Sequence, residues 1–144
     1  MDDIDKAILR LLEENGRMQF KAIASELDLT DVTIKNRIMK LEDSGIIRRF
    51  TIDLDYEKIG LPLRVTIGVT LEPSKIQDVI EHLISINEFN IIWKTSGAHG
   101  VNIRGAFRDH AHLNKILNEA LNIDGVREYH LSILDREVKN KRMI

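Results

Sequence analysis

The chain has 144 residues, 43% of them hydrophobic and 31% charged, with a formal net charge of −2 and no cysteine. That composition describes a folded globular protein of one domain or two small ones, and it excludes disulfide scaffolds, thiolate zinc sites and fibres. No apolar run approaches the roughly 18 residues of a membrane span, and the acidic start Met1-Asp2-Asp3-Ile4-Asp5 is unlike a secretory leader, so the expected location is the cytoplasm, with no membrane partner.

Ile4, Ala7, Ile8, Leu11 and Leu12 recur at the spacing of one helical face, and the acids ahead of them complement the helix dipole. Asn15-Gly16 predicts a left-handed C-cap. A short second helix over about Phe20 to Leu27 presents Phe20, Ile23, Ala24 and Leu27 on one face, and Asp28-Leu29 turns the chain. Thr30 is a good N-cap for a third helix, with Asp31 in its first turn, Ile34, Ile38 and Leu41 as its buried stripe and Gly45 as its stop. Ile46 to Leu54 reads as extended chain, and Gly60 and Pro62 break the stretch after Tyr56.

The pattern then changes period. Leu63 to Leu71 alternates β-branched and polar residues as a strand does. Ser74-Lys75-Ile76-Gln77 has the spacing of a capping box, opening a helix that carries Ile76, Val79, Ile80, Leu83 and Ile84. Asn90 to Ser96 and Val101 to Phe107 read as strands joined by Gly97-Ala98-His99-Gly100, with Trp93 expected to pack within the first. A helix from about Ala111 to Leu121, a turn at Asp124-Gly125, a strand from about Val126 to Leu134 and a charged tail over Arg136 to Arg142 complete the chain. The expected fold class is α+β: a winged-type helix-turn-helix over 1–50, a linker strand and hinge over 51–62, and a ferredoxin-like βαββαβ domain over 63–144 with both helices on one face of an antiparallel sheet.

In a helix-turn-helix the third helix enters the DNA major groove by its N-terminal residues. With Ile34, Ile38 and Leu41 assigned to the core, the outward residues are Val32, Thr33, Lys35, Asn36, Met39 and Lys40. Asn pairs bidentately with adenine, Lys reaches guanine, and Val32 or the Thr33 methyl can touch a thymine methyl. Thr30 and the free N–H groups of the first turn suit a phosphate. Arg37 adds a third cation to Lys35 and Lys40, so the DNA-binding set is Thr30, Val32, Thr33, Lys35, Asn36, Arg37 and Lys40. The net charge of −2 weighs against strong non-specific binding.

Asp5-Lys6-x-Ile8-Leu9-x-x-Leu12, Asn15-Gly16-Arg17, Ala24-x-x-Leu27 and Arg37-Ile38-x-x-Leu41-Glu42-x-x-Gly45-Ile46-Ile47 together resemble the N-terminal signature of the Lrp/AsnC, or feast/famine, transcription regulators. The resemblance continues through Gly60, Ser96-Gly97, Asp124-Gly125-Val126 and Glu137-Val138-Lys139. It implies a transcription regulator whose partners are double-stranded DNA and further copies of itself. The family forms dimers through its βαββαβ (RAM-type) domains, often stacked into tetramers or octamers, and binds pseudo-palindromic promoter sites. It also implies a small-molecule effector, an amino acid or another metabolite, bound at the interface between dimers.

This chain departs from the family where many amino-acid-responsive members carry acids after the Ser/Thr-Gly pair, because Ala98 and Gly100 stand there with His99 between them. The effector candidates are Ser96, Gly97, Ala98, His99, Gly100 and Arg104, with His99 and Arg104 suited to an anion. Alternatively Arg104 and Asn102 lie on an exposed strand face or in a protein interface. No metal, cofactor or catalytic group is expected, since His110-Ala-His112 lacks a second cluster and no phosphate-binding or nucleophile motif is present. Rival readings are an enzyme like the sirohaem decarboxylases, which resemble the same two-domain plan, and an architectural protein that binds DNA without sequence preference.

Overall fold

The computed structural model describes residues 1–138, so Lys139 of the Glu137-Val138-Lys139 ending and the last part of the charged tail lie outside them. Its contacts divide the described chain into two units, Met1–Asp53 and Leu54–Val138, each with a hydrophobic core of its own.

The first unit holds α1 (Asp3–Glu14), α2 (Phe20–Glu26) and α3 (Asp31–Asp43). Asp2 caps α1 through a reciprocal box, in which the Asp5 N–H donates to Asp2 Oδ1 at 2.8 Å and the Asp2 N–H to Asp5 Oδ2 at 3.0 Å. At the other end Asn15 is extended rather than left-handed, with φ −142°. Its N–H reaches Leu11 O and its side chain accepts from the Arg17 N–H at 3.1 Å, an Asx turn that reverses the chain without a positive φ. The left-handed residue falls instead on Asp28, φ 52°, in the turn between α2 and α3. Ile8, Ile23, Ile34 and Ile38 are almost wholly buried at the centre, with Leu9, Ala24 and Leu41 around them. Phe20 does not join them; as the first residue of its short helix it remains 41% exposed.

Gly45, at φ 73°, follows the C-cap Ser44 and turns the chain so that the Ile47 N–H returns to Leu41 O. Residues 46–54 form no strand among the described residues, and Ile46, Phe50, Ile52 and Leu54 are exposed. The turn at 55–60 is anchored within the second unit. There the Asn90 amide donates to the Tyr56 hydroxyl at 3.1 Å, and the Arg64 guanidinium lies 6.0 Å above the Tyr56 ring.

The second unit runs β1 (Leu63–Leu71), a 3₁₀ turn (Pro73–Lys75), α4 (Ile76–Ile84), β2 (Phe89–Lys94), β3 (Val101–Phe107), α5 (His110–Leu121) and β4 (Val126–Ile133). The sheet order is β2-β3-β1-β4, every neighbouring pair being antiparallel. Ile67 on β1 stands opposite Ile103 of β3 and Leu131 of β4, and the alternate residues Val65, Ile67, Val69 and Leu71 share one core with Val79 and Leu83 of α4 and with Leu113, Ile116, Leu117, Ala120 and Leu121 of α5. Both helices therefore cover one face, and the other face is open. Two expectations fail at α4. Pro73 starts a 3₁₀ turn that absorbs Ser74, whose hydroxyl goes to Glu72, while Gln77 reaches Glu81, so no capping box forms. Ile84, at the last position of α4, is 67% exposed.

Candidate nucleic-acid interface

The sequence locates α3 closely. Thr30 is its N-cap, with extended backbone and Oγ1 accepting from the Thr33 N–H at 3.2 Å; the Thr30 and Thr33 hydroxyls also meet at 2.8 Å. Ile34, Ile38 and Leu41 are buried as one stripe. At 3.6 residues per turn, that stripe turns Val32, Asn36, Met39 and Lys40 away from the core and leaves Lys35 on one flank and Thr33 and Arg37 on the other. Val32, Lys35, Asn36, Met39 and Lys40 are exposed, and Thr33 and Arg37 are half-buried.

Arg37, expected among the DNA-binding residues, has partners that sequence reasoning missed. Its Nη1 donates to Asp2 Oδ2 at 2.8 Å and to Asp5 Oδ1 at 2.7 Å, so the guanidinium faces the start of α1. The two acids lie 35 and 32 positions away, beyond the reach of any local pattern. Their own spacing, Asp2-x-x-Asp5, was a legible capping-box signal. The N–H of Asp5, then Arg37, hold the Asp2 carboxyl below its usual range, and Asp2 followed by Asp5 raises the Arg37 guanidinium above its own. A groove bordered by Asp2, Thr33, Asn36, Arg37, Lys40 and Ser44 runs between the start of α1 and the outer edge of α3.

The loop after β2 holds the other predicted site. Ser96, Gly97 and Ala98 are exposed, and the Thr95 N–H donates to Gly100 O at 2.9 Å across the loop, while the Thr95 hydroxyl bonds His99 O and accepts from Asn102 Nδ2. The His99 ring folds over Gly68 on the open sheet face, in the space a Cβ there would occupy. It lies 5.0 Å from the His130 ring and 3.4 Å, through Nδ1, from the Thr70 hydroxyl, which in turn donates to Glu128 at 3.4 Å. A carboxylate missing from the loop is thus present on β4, across the sheet. Arg104 is separate from this group; its guanidinium lies 5.8 Å above the Trp93 ring, and Trp93 is 42% exposed rather than packed. His112 sits 3.0 Å from Glu88 and edge-on to Phe107. No group of three His, Cys, Asp or Glu among the described residues is arranged to hold a metal ion, and none of their helices is long and apolar enough to cross a membrane.

Comparison with known proteins adds to this geometry. Residues 1–42 match the AsnC-type helix-turn-helix domain, and residues 64–144 match the Lrp/AsnC ligand binding domain. An uncharacterized HTH-type transcriptional regulator of Pyrococcus furiosus is 34% identical over 89% of this chain and 86% of its own. Among solved structures, AsnC of E. coli superposes with a TM-score of 0.89 at 23% identity, covering 99% of this chain and 97% of that one. A transcriptional regulator of Neisseria meningitidis in complex with L-Met gives 0.90 at 24% identity, covering 97% of this chain and 93% of the other.

Proposed function

The chain belongs to the Lrp/AsnC family of transcription regulators, with a helix-turn-helix domain and a ligand-binding domain, and on that premise we propose that it reads specific promoter DNA as a dimer under the control of a small metabolite. One observation carries the DNA reading: a capped helix buries Ile34, Ile38 and Leu41 and leaves Val32, Lys35, Asn36 and Lys40 exposed beside its start. In this reading Asn36 and Lys35 contact base edges and Val32 a thymine methyl. Thr30 and the first-turn N–H groups receive a phosphate, Lys40 contacts the backbone, and Thr33 holds the cap through its bond to Thr30.

Pseudo-palindromic sites follow from two such helices set about 34 Å apart by a two-fold axis. The open face of the sheet is the surface we assign to dimerisation, because α4 and α5 cover the opposite face; larger assemblies build on that pair. The protein acts in the cytoplasm and catalyses no reaction. Its effector meets the Ser96–Gly100 loop, where His99 and the nearby Glu128 offer partners for opposite charges.

Selecting bound fragments from a random duplex pool tests the reading. The expected result is an inverted repeat whose half-sites are centred about one helical turn, or a multiple of it, apart. Lys35→Ala with Asn36→Ala should abolish the enrichment while sedimentation still shows the dimer. Enrichment unaltered by those substitutions would remove α3 from base readout, and binding of all sequences alike at physiological salt would favour the architectural alternative. Titration calorimetry with a panel of amino acids and organic acids checks the effector, and no heat from any member would count against metabolite control by these classes.

A further inference from the structure

The outward edge of α3 has an acidic neighbour that a DNA-reading surface would not be expected to keep. Asp2 and Asp5 border the same groove as Thr33, Asn36 and Lys40, and both carboxylates engage Arg37. Arg37 lies one helical turn after Thr33 and three residues before Lys40, on the flank where a cation could otherwise extend toward a phosphate. Its side chain retains 27% of its accessible surface, Asp5 only 16%, and Asp2, the outer member, 53%. Ion pairs at least partly withdrawn from water are screened less by salt than exposed ones. Each acid also accepts a backbone N–H in the reciprocal cap of α1, which orients it. The chain thus commits two hydrogen-bonded capping carboxylates to the one arginine of its recognition helix.

We propose that Asp2 and Asp5 form a clamp that withholds Arg37 from the DNA backbone, lowering sequence-independent affinity so that exposed Lys35, Asn36 and Lys40 decide where the protein binds. The proposal rests on the DNA reading above and changes the role of one residue within it, making Arg37 a positioning residue that ties α3 to α1. Its physical basis is counterion release. Each phosphate neutralised by a cation adds about 0.9 to the steepness of log affinity against log salt, irrespective of sequence. A cation already neutralised by two carboxylates adds nothing to that slope.

The test measures binding of a random-sequence duplex by fluorescence anisotropy over a range of salt, using the full chain. Four proteins are compared: wild type, Asp2→Asn with Asp5→Asn, Arg37→Gln, and the triple variant. Asn keeps an acceptor at the cap, so the acid-replaced protein should retain α1, and circular dichroism confirms it. The clamp predicts that Arg37→Gln leaves the salt slope at its wild-type value. It also predicts that replacing both acids steepens the slope by about 0.9 per engaged protomer, with several-fold tighter random-DNA binding at low salt, and that the triple variant returns to the wild-type slope. Loss of about 0.9 per protomer in Arg37→Gln alone would mean that Arg37 already touches a phosphate, and would overturn the clamp even if the acid-replaced protein failed to fold. Equal slopes in the double and triple variants would also overturn it, assigning the change to net charge. Absence of duplex binding by the wild type would overturn the DNA reading and the clamp with it; wild-type binding accompanied by either other failure removes the clamp alone.

Discussion

Three residues show how local chemistry is converted into position. Thr30 ends the turn after α2 and starts α3 by offering its hydroxyl to the Thr33 N–H. Thr30→Ala should cost about 1 kcal/mol in urea unfolding of the first unit, and Thr30→Ser should restore most of it. Asp2 has a pH signature. Its carboxyl is held below the ordinary value of 3.8 by the Asp5 N–H and by Arg37, so the folded state binds a proton there less readily than the unfolded chain. The associated stability is fully present above the ordinary value and is lost as pH falls through the lowered one. Melting between about pH 5 and pH 2 should therefore fall less steeply for Asp2→Asn than for the wild type. Gly68 makes room for the His99 ring. In Gly68→Ala the ring, being on a side chain that can rotate, should leave the sheet. NMR would show the His99 and His130 imidazole resonances shifted, with a stability cost of about 1–3 kcal/mol at most, because the atoms displaced belong to a side chain and not to backbone. Retention of the wild-type shifts would show that the ring does not occupy that space.

Elements were legible wherever a regular period met a clear stop. The α3 stripe and its Gly45 terminator are local features, and so is the β-branched alternation of β1; each is visible in a window of about a dozen residues. Misreadings arose at ends, where neighbouring residues compete for the same backbone groups. Ser74 and Gln77 had the spacing of a cap, but Pro73 drew the chain into a 3₁₀ turn first. Asn15 satisfied the chain reversal with its side chain, which left Gly16 no left-handed task. At this scale α3 is also testable as a packed object. Ile38 is 2% exposed, and Ile38→Ala should destabilise the first unit by about 2–5 kcal/mol. The single tryptophan, Trp93, lies in the second unit. Far-ultraviolet circular dichroism should consequently show an earlier urea transition in the variant, while the Trp93 fluorescence transition stays in place. Movement of both together would mean that the two cores unfold as one.

For the whole molecule, the decisive feature is a sheet with helices on one face only. Thr66 on that open face stands opposite Arg104 on β3 and Ser132 on β4. Thr66→Arg places a second positive charge there, and we expect sedimentation velocity to shift from dimer to monomer with the fold of the second unit unchanged. A dimer that persists would direct attention to another surface, such as the exposed Phe50, Ile52 and Leu54. By itself the sequence determined the order of the elements, the helix-turn-helix followed by βαββαβ, the buried face of α3 and the family, because these depend on periodicity and on motifs read along the chain. Only the tertiary structure decided that Arg37 belongs to Asp2 and Asp5, that Glu128 comes beside the His99 group, and that Arg104 lies over Trp93. Those pairings join residues from about ten to more than fifty positions apart, and a side chain's charge does not reveal which distant partner the fold will bring into contact with it.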